Sequence, residues 1–217
     1  MESAETRCRL VLIVPDIADA AEQERLLGDA LRGGDVASVI IPQYALGLDE
    51  FQQRAEKLVA LVQNYDAAAI IAGDSRVAGR ARADGLHIEG GADAVAEAVE
   101  KFSPKLIVGA GHSGDRHEAL EIGEKSPDYI LFGRLDGDSR AEAHPKNLEL
   151  GEWWASMVEI PCIVMGGSEP ASAMDVAGTW AEFVGLGRAV FSAPGGPAAM
   201  VAQVNAVLDE KAPRFEY

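Results

Sequence analysis

Two short glycine segments near the end of the sequence are typical of an anion-binding site. Residues 165–170 read MGGSEP, and residues 185–189 read GLGRA. Glycine lets backbone N–H groups approach an anion closely, and the start of a following helix adds a favourable partial charge. The alternative is that these glycines only permit tight turns between strands and helices. The predicted phosphate-binding residues are Gly166, Gly167, Gly187 and Arg188.

Histidine and arginine supply further candidate groups. His112 follows Gly111 at the end of an apolar run, and an imidazole there is suited to proton transfer near neutral pH. His87 ends another apolar run, where it is either a structural, hydrogen-bonded residue or part of a substrate site. Arg134 follows a third run and offers a positive charge. We therefore expect these side chains to meet at one end of the fold.

Eight short apolar runs, each followed by a longer amphipathic stretch, must position these groups. Near-continuous apolar runs are typical of parallel strands covered by helices on both faces. The pattern predicts a closed (β/α)8 barrel, with an open doubly wound sheet of fewer strands as the alternative. In such barrels the active site lies at the carboxyl ends of the strands. The predicted strands are 9–14, 36–41, 68–72, 84–88, 105–109, 128–132, 161–165 and 182–186.

Helix signals lie between the runs. Apolar residues recur at helical spacing from Leu48 to Val62, and Asp19 with Glu22 predicts a capping box for the first helix. Ser168 is the predicted cap of the seventh helix, and Gly196 with the following proline begins the last one. The other predicted helices are 75–82, 92–101, 113–124 and 148–157.

Composition limits the class of partner. The chain has 217 residues, with 19 Lys and Arg against 35 Asp and Glu, a formal charge of −16. This balance argues against nucleic acid and anionic membranes as partners, because both are bound mainly through basic residues. Two cysteines without metal-ligand spacing and a polar amino terminus predict a reduced, cytoplasmic protein. We expect a single domain spanning 1–217, with the tryptophans at 153–154 in barrel packing or a homo-oligomer contact.

Five segments in a fixed order resemble one protein family. They read ADGLHIEGG at 83–91, PKLIVGAGHS at 104–113, SPDYILFGRL at 126–135, IPCIVMGG at 160–167 and EFVGLGRA at 182–189. Their order and spacing resemble the thiamine-phosphate synthase and TenI family of (β/α)8 barrels. The resemblance implies a synthase that joins hydroxymethylpyrimidine diphosphate to thiazole phosphate, releasing pyrophosphate with the help of Mg2+. TenI-type relatives instead convert a thiazole tautomer with a histidine as the proton-transfer group.

The resemblance also implies roles for individual residues. Asp74 corresponds to one Mg2+ ligand, and Asp93 lies one position beyond the second, so it is either a ligand or a helix cap. Lys146 is the counterpart of a lysine that ends a threonine-rich stretch after the sixth strand. The resemblance thus places His112 and Lys146 at the reacting centre, and the substrate contacts at His87, Gly111 and Arg134.

One departure from the family pattern concerns the diphosphate. The family has Gln-apolar-Arg-x-Lys on the second strand, where this chain reads SVIIP at 38–42. Each lost charge-assisted hydrogen bond is worth about 1.5–3 kcal/mol, so the residues predict weak synthase turnover. The alternatives are a TenI-type tautomerase, a non-catalytic thiazole-phosphate-binding relative, and another phosphate-binding barrel such as an epimerase or an indole-glycerol-phosphate enzyme.

Overall fold

Eight parallel strands close into a barrel, as predicted. The computed structural model describes residues 6–111 and 114–215. The barrel strands are β1 (Arg9–Ile13), β2 (Ser38–Pro42), β3 (Ala68–Ala72), β4 (Gly85–Ile88), β5 (Ile107–Gly111), β6 (Tyr129–Phe132), β7 (Cys162–Met165) and β8 (Phe183–Leu186). Each strand pairs with its neighbours in chain order, and pairing of Arg9 with Phe183 closes the ring between β1 and β8. The open-sheet alternative is wrong.

Alternate strand residues separate the apolar core into two layers. Because successive side chains point to opposite faces, Leu10 and Leu12 pack in the outer cluster with the helices. Val11 and Ile13 belong to the second cluster, which fills the barrel interior together with residues such as Met165. Both layers are closed to water, so the apolar runs read as continuous rather than alternating.

The helices form the outer ring. They are α1 (Ala20–Leu31), α2 (Leu48–Gln63), α3 (Ser75–Ala81), α4 (Ala92–Phe102), α5 (Arg116–Gly123), α6 (Pro145–Ala155), α7 (Ser172–Ala177), α8 (Arg188–Phe191) and α9 (Pro197–Lys211). Asp19 caps α1 by accepting the N–H groups of Ala21 and Glu22, and Gly196 precedes α9, both as predicted. Within the described ranges, no helix is long and apolar enough to cross a membrane.

Two predicted helix starts are wrong. Ser168 does not cap α7, which begins at Ser172 after a turn that the Ser172 hydroxyl stabilises by donating to the Glu169 carbonyl. Helix α6 begins at Pro145 rather than 148, because His144 caps it and proline tolerates the first helical position. The earlier start of α6 shortens the loop that follows β6.

A small antiparallel pair joins the two ends of the described chain. Strand Thr6–Arg7 pairs with Arg214–Phe215 below the amino end of β1. Arg7 fixes this pair to α9, since its guanidinium donates to Asp209 at 2.7 Å and Asn205 at 2.8 Å. The pair lies at the end of the barrel opposite the carboxyl ends of the strands.

Candidate functional site

A two-part pocket lies at the carboxyl ends of the strands. The first part has a volume of about 540 Å³ and is lined by Pro42, Gln43, Tyr44, Ala72, Glu89, Arg134, Leu135 and Asp136. The second part, about 390 Å³, shares Tyr44, Leu135 and Asp136 and extends to Gly187 and Arg188. We call the two parts together the barrel mouth. It brings the ends of β2, β3, β4, β6 and β8 to one place, as expected for this architecture.

The barrel mouth is predominantly acidic. Arg134 is exposed and pairs with Asp136, with 3.1 Å between Nε and Oδ1. The Tyr44 hydroxyl donates to the Val14 carbonyl at 2.9 Å. Burial raises the pKa of Tyr44, and four surrounding carboxylates raise it further, those of Asp136, Asp16, Asp138 and Glu89. An anionic ligand in the mouth therefore depends on backbone amides and on the arginines.

The most unusual group at this end is the buried carboxylate of Asp138. It belongs to a segment between β6 and α6, residues 133–144, which we call the acidic loop. Only 1% of Asp138 is exposed. Its Oδ2 accepts the backbone N–H of Gly187 at 2.8 Å and that of Ala189 at 2.7 Å. Its Oδ1 is buried and has no hydrogen-bond partner in the described part of the chain.

The other predicted phosphate amides are also engaged. Gly166 donates its N–H to the Gly185 carbonyl at 3.0 Å. Gly167 donates to the Ser172 hydroxyl at 2.9 Å. With Gly187 bound to the carboxylate, none of these three glycines directs a free N–H into the mouth in this conformation. Their assignment to a phosphate remains a prediction.

Backbone contacts hold the acidic loop against the loop after β7. Ser168 donates its N–H to the Arg140 carbonyl at 2.7 Å, and Glu169 donates to the Ala141 carbonyl at 3.1 Å. A Cβ at Gly167 would lie 2.2 Å from the Ala141 oxygen, closer than any real Cβ contact. Gly167 is thus required here for close approach of the acidic loop.

Of the three predicted cations, Arg134 and Arg188 line the mouth, whereas Lys146 is not among its lining residues. Arg188 is the first residue of α8 and is exposed, with its side chain lining the mouth. Lys146 is exposed in the first turn of α6, where its backbone N–H donates to His144 Nδ1 at 3.2 Å. It therefore lies on a helix rather than within the loop. His112 lies outside the described residues.

His87 is a buried residue of the barrel interior. Its Nδ1 lies 2.9 Å from the Tyr129 hydroxyl, and the two rings stack with 5.7 Å between centroids. Its Nε2 has no partner among the described residues, and a Cβ at Gly111 would lie 2.3 Å from it. Complete burial lowers the pKa of His87 to about 4. This imidazole is neutral at physiological pH, which favours the structural interpretation of His87.

The predicted Mg2+ ligands do not fit a metal site as they are placed. Both oxygens of Asp74 face the guanidinium of Arg76, which lowers the pKa of Asp74 to about 2, and the same carboxylate caps α3. Asp93 is exposed in the first turn of α4; the cap is Gly91, so Asp93 is not the N-cap either. Residues 6–111 and 114–215 contain no cluster of three or more His, Cys, Asp or Glu suited to a metal ion.

The sequence indicated no specific role for three residues that shape the mouth or the barrel interior beneath it. Asp138 was recognisable only as one of several acidic residues after β6, because its amide partners lie 49 and 51 positions away. Tyr44 and Tyr129 follow or lie within apolar runs and read as core residues. A tyrosine at the end of a strand carries a polar group that needs a partner when buried, and this was the available signal.

The fold and the mouth define a (β/α)8 barrel with glycine-rich loops after its last two strands, where such barrels commonly bind phosphate. The family model described as thiamine monophosphate synthase (TMP-TENI) matches residues 10–190. The chain belongs to this family.

Individual relatives agree with this membership. A thiamine-phosphate synthase of Rhodospirillum centenum is 33% identical over 206 residues, covering 94% of this chain and 99% of the relative. One of Hyphomonas neptunium is 29% identical over 212 residues, with coverages of 95% and 96%. A solved thiamine phosphate pyrophosphorylase from Pyrococcus furiosus has a TM-score of 0.77 at 23% identity, covering 93% of this chain and 96% of that one. At this identity the solved structure bears on the fold alone.

Proposed function

We propose that the protein serves thiamine biosynthesis as a synthase-type transferase. It binds thiazole phosphate in the barrel mouth and joins it to hydroxymethylpyrimidine diphosphate, forming thiamine phosphate and pyrophosphate. The observation that supports this most directly is similarity over nearly the whole length to a curated thiamine-phosphate synthase, 94% of this chain and 99% of the relative. The glycine-rich loops after β7 and β8 lie within the matched region.

The residues of the mouth indicate separate binding positions for the two substrates. Arg188 borders the amides of α8 and is suited to hold the thiazole phosphate, while Arg134 faces the pocket at the ends of β2 to β4. Apart from Arg134, that pocket receives no cation from β2, where the family has an arginine and a lysine and residues 38–42 read SVIIP. Because the developing charge of a leaving pyrophosphate needs compensation, turnover is expected to be slow. Mg2+ remains a prediction of the resemblance.

A second candidate is a thiazole-phosphate-binding protein without turnover. Two observations favour it: β2 provides no cation, and the aspartates at 74 and 93 form no metal cluster among the described residues. A TenI-type tautomerase would need a titrating histidine in the mouth. His87 is buried with its pKa lowered to about 4, and His112 lies outside the described residues. His87 is therefore unsuited to that role, and a tautomerase would depend on His112.

One set of measurements separates these functions. Purified protein is titrated calorimetrically with thiazole phosphate, and with hydroxymethylpyrimidine diphosphate plus Mg2+, followed by an assay for thiamine phosphate. The transferase forms thiamine phosphate, and Arg188→Ala lowers kcat/KM at least tenfold. Arg25→Ala is the matched control, because it removes the same charge from the outer face of α1, where Arg25 pairs with Glu22 and Asp29.

The outcomes are distinct. Binding of thiazole phosphate without product, lost in Arg188→Ala and retained in Arg25→Ala, selects the binding protein. If neither ligand binds at millimolar concentration, both proposals fail.

A further inference from the structure

We infer that Asp138 is an internal competitor for the phosphate position of the barrel mouth, and that an anion enters only when the acidic loop moves away. The inference rests on the proposed function in one respect: it assumes that the ligand of this mouth carries a phosphate. It adds an autoinhibitory contact within the chain itself. The contact joins Asp138 to the backbone of Gly187 and Ala189.

The chemistry of the contact is that of an anion site. A single oxygen, Oδ2, accepts two backbone N–H groups at 2.8 and 2.7 Å, one on each side of Arg188. Carboxylate and phosphate oxygens bind such donors in the same way, through short charge-assisted hydrogen bonds. A phosphate oxygen and the Asp138 carboxylate cannot occupy this position together, both for lack of space and because both are negative.

The second carboxylate oxygen, Oδ1, indicates that the Asp138 side chain fits the anion position only approximately. Asp138 is 1% exposed, yet Oδ1 has no hydrogen-bond partner within residues 6–111 and 114–215. Buried polar atoms are normally satisfied, and leaving one without a partner is unfavourable. This unsatisfied atom lowers the stability of the Asp138 contact with the two amides. Displacement of Asp138 by a better-matched anion is therefore easier.

The position of Asp138 in the pockets explains how displacement would open the site. Asp138 and Arg188 border both the barrel mouth and a neighbouring pocket of about 550 Å³. The Arg188 guanidinium has no ion-pair partner among the described residues, although it borders the same pockets as the carboxylate. An incoming phosphate would meet an available cation and two amides once Asp138 withdraws.

The acidic loop is anchored near its two ends, because Leu135 and Ala143 are buried in the apolar clusters. Between them, its hydrogen bonds to the loop after β7 are those from the N–H groups of Ser168 and Glu169 to the carbonyls of Arg140 and Ala141. The side chain of Glu142 is exposed. Residues 136–142 can therefore separate from the glycine segment without unfolding a strand or a helix.

Asp138→Ala tests the inference. Its affinity for inorganic phosphate, the probe, is measured by isothermal titration calorimetry. Removing the carboxylate frees both amides, so we expect Asp138→Ala to bind phosphate at least tenfold more tightly than the wild type. Asp138→Asn keeps the shape and one oxygen but not the charge, and should give an intermediate affinity. Glu142→Ala is the matched control, removing one negative charge from the exposed side of the same loop. It should bind phosphate as the wild type does.

Two structural readouts accompany the titration. In the wild type, amide hydrogen exchange at Gly187 and Ala189 should be slow, and it should become faster in Asp138→Ala before phosphate is added. In the wild type, saturating phosphate should increase trypsin cleavage after Arg140, because the acidic loop is released. Far-ultraviolet circular dichroism verifies that each variant is folded, and Asp138→Asn carries the test if the alanine variant is not.

The results separate this inference from the proposed function. If folded Asp138→Ala binds phosphate no more tightly than the wild type, or not at all, the internal competitor is refuted. If Asp138→Ala gains phosphate affinity but neither protein binds thiazole phosphate, the inference stands and the proposed function fails. An equal gain in Glu142→Ala would attribute the effect to loop charge rather than to the Asp138 contact, and would also refute the inference.

Discussion

The buried histidine of the barrel interior predicts a specific dependence of stability on pH. In the unfolded chain His87 takes up a proton below its ordinary pKa of 6.5, whereas burial lowers the pKa in the folded protein to about 4. Between these values the unfolded state binds more protons, so the free energy of unfolding falls as the pH falls. The contribution of neutral His87 is complete above 6.5 and is lost progressively towards 4.

The expected size follows from the same two values. The interval from 6.5 to about 4 corresponds to about 3 kcal/mol, at about 1.36 kcal/mol for each pH unit. For a chain of this length 1 kcal/mol shifts Tm by about 2–4 °C, so the effect is easily measured. The hydrogen bond to Tyr129 does not oppose it, because burial also raises the pKa of that tyrosine and keeps it neutral.

The assay compares urea unfolding at pH 7, 5.5 and 4 for the wild type, His87→Gln and His117→Gln. The difference between each variant and the wild type isolates the contribution of that histidine. The free energy of unfolding of His87→Gln should fall by about 3 kcal/mol less than that of the wild type between pH 7 and 4. His117→Gln is the control for loss of an exposed histidine; His117 lies on α5 with its Nε2 3.5 Å from Glu121, and its replacement should not reproduce the effect of His87→Gln. Equal pH dependence of the wild type and His87→Gln would refute the reasoning.

Three further substitutions have defined outcomes. Gly109→Ala would place a Cβ 1.9 Å from the Tyr129 ring, so Tm should fall by the equivalent of about 3 kcal/mol, and Tyr129→Leu in the same chain should restore part of the loss. Asp74→Ala removes the cap of α3 and should cost about 1 kcal/mol in urea unfolding, equally with and without added Mg2+; a selective loss of Mg2+ stabilisation would instead support a metal ligand. Gly167→Ala would clash with the acidic loop and should accelerate trypsin cleavage after Arg140, and unchanged digestion would contradict the packing described.

The barrel was predictable from local pattern, because each strand is a short apolar run closed in on both faces. The predicted strand boundaries were wrong where packing between residues distant in sequence decides them. Strand β5 runs over Ile107–Gly111 rather than 105–109, since Gly109 and Gly111 make room for the rings of Tyr129 and His87 from neighbouring strands. A glycine in the sequence gives no indication of which side chain will fill the space beside it.

The sequence predicted where the glycine segments lie, but not which groups their amides bind. Gly187 borders the mouth and Gly167 contacts the acidic loop, while their role in binding a phosphate stays a prediction. The Gly187 amide donates to Asp138, which lies 49 positions away in the sequence, so no local pattern could identify this partner. Asp74 matched a family position and Asp93 lay one position beyond another, yet the Asp74 carboxylate caps α3 and pairs with Arg76.

The pairing of the chain ends has a practical consequence for handling the protein. Thr6 lies opposite Phe215 in an antiparallel pair at the amino end of the barrel, remote from the mouth. A short peptide linker between residues 6 and 215 would therefore span little distance, and a break could be opened in an exposed loop, as in circularly permuted proteins. A tether attached at residue 6 or 215 would hold the protein on a surface with the barrel mouth directed outward. Immobilised protein would thus present the mouth freely to dissolved ligands.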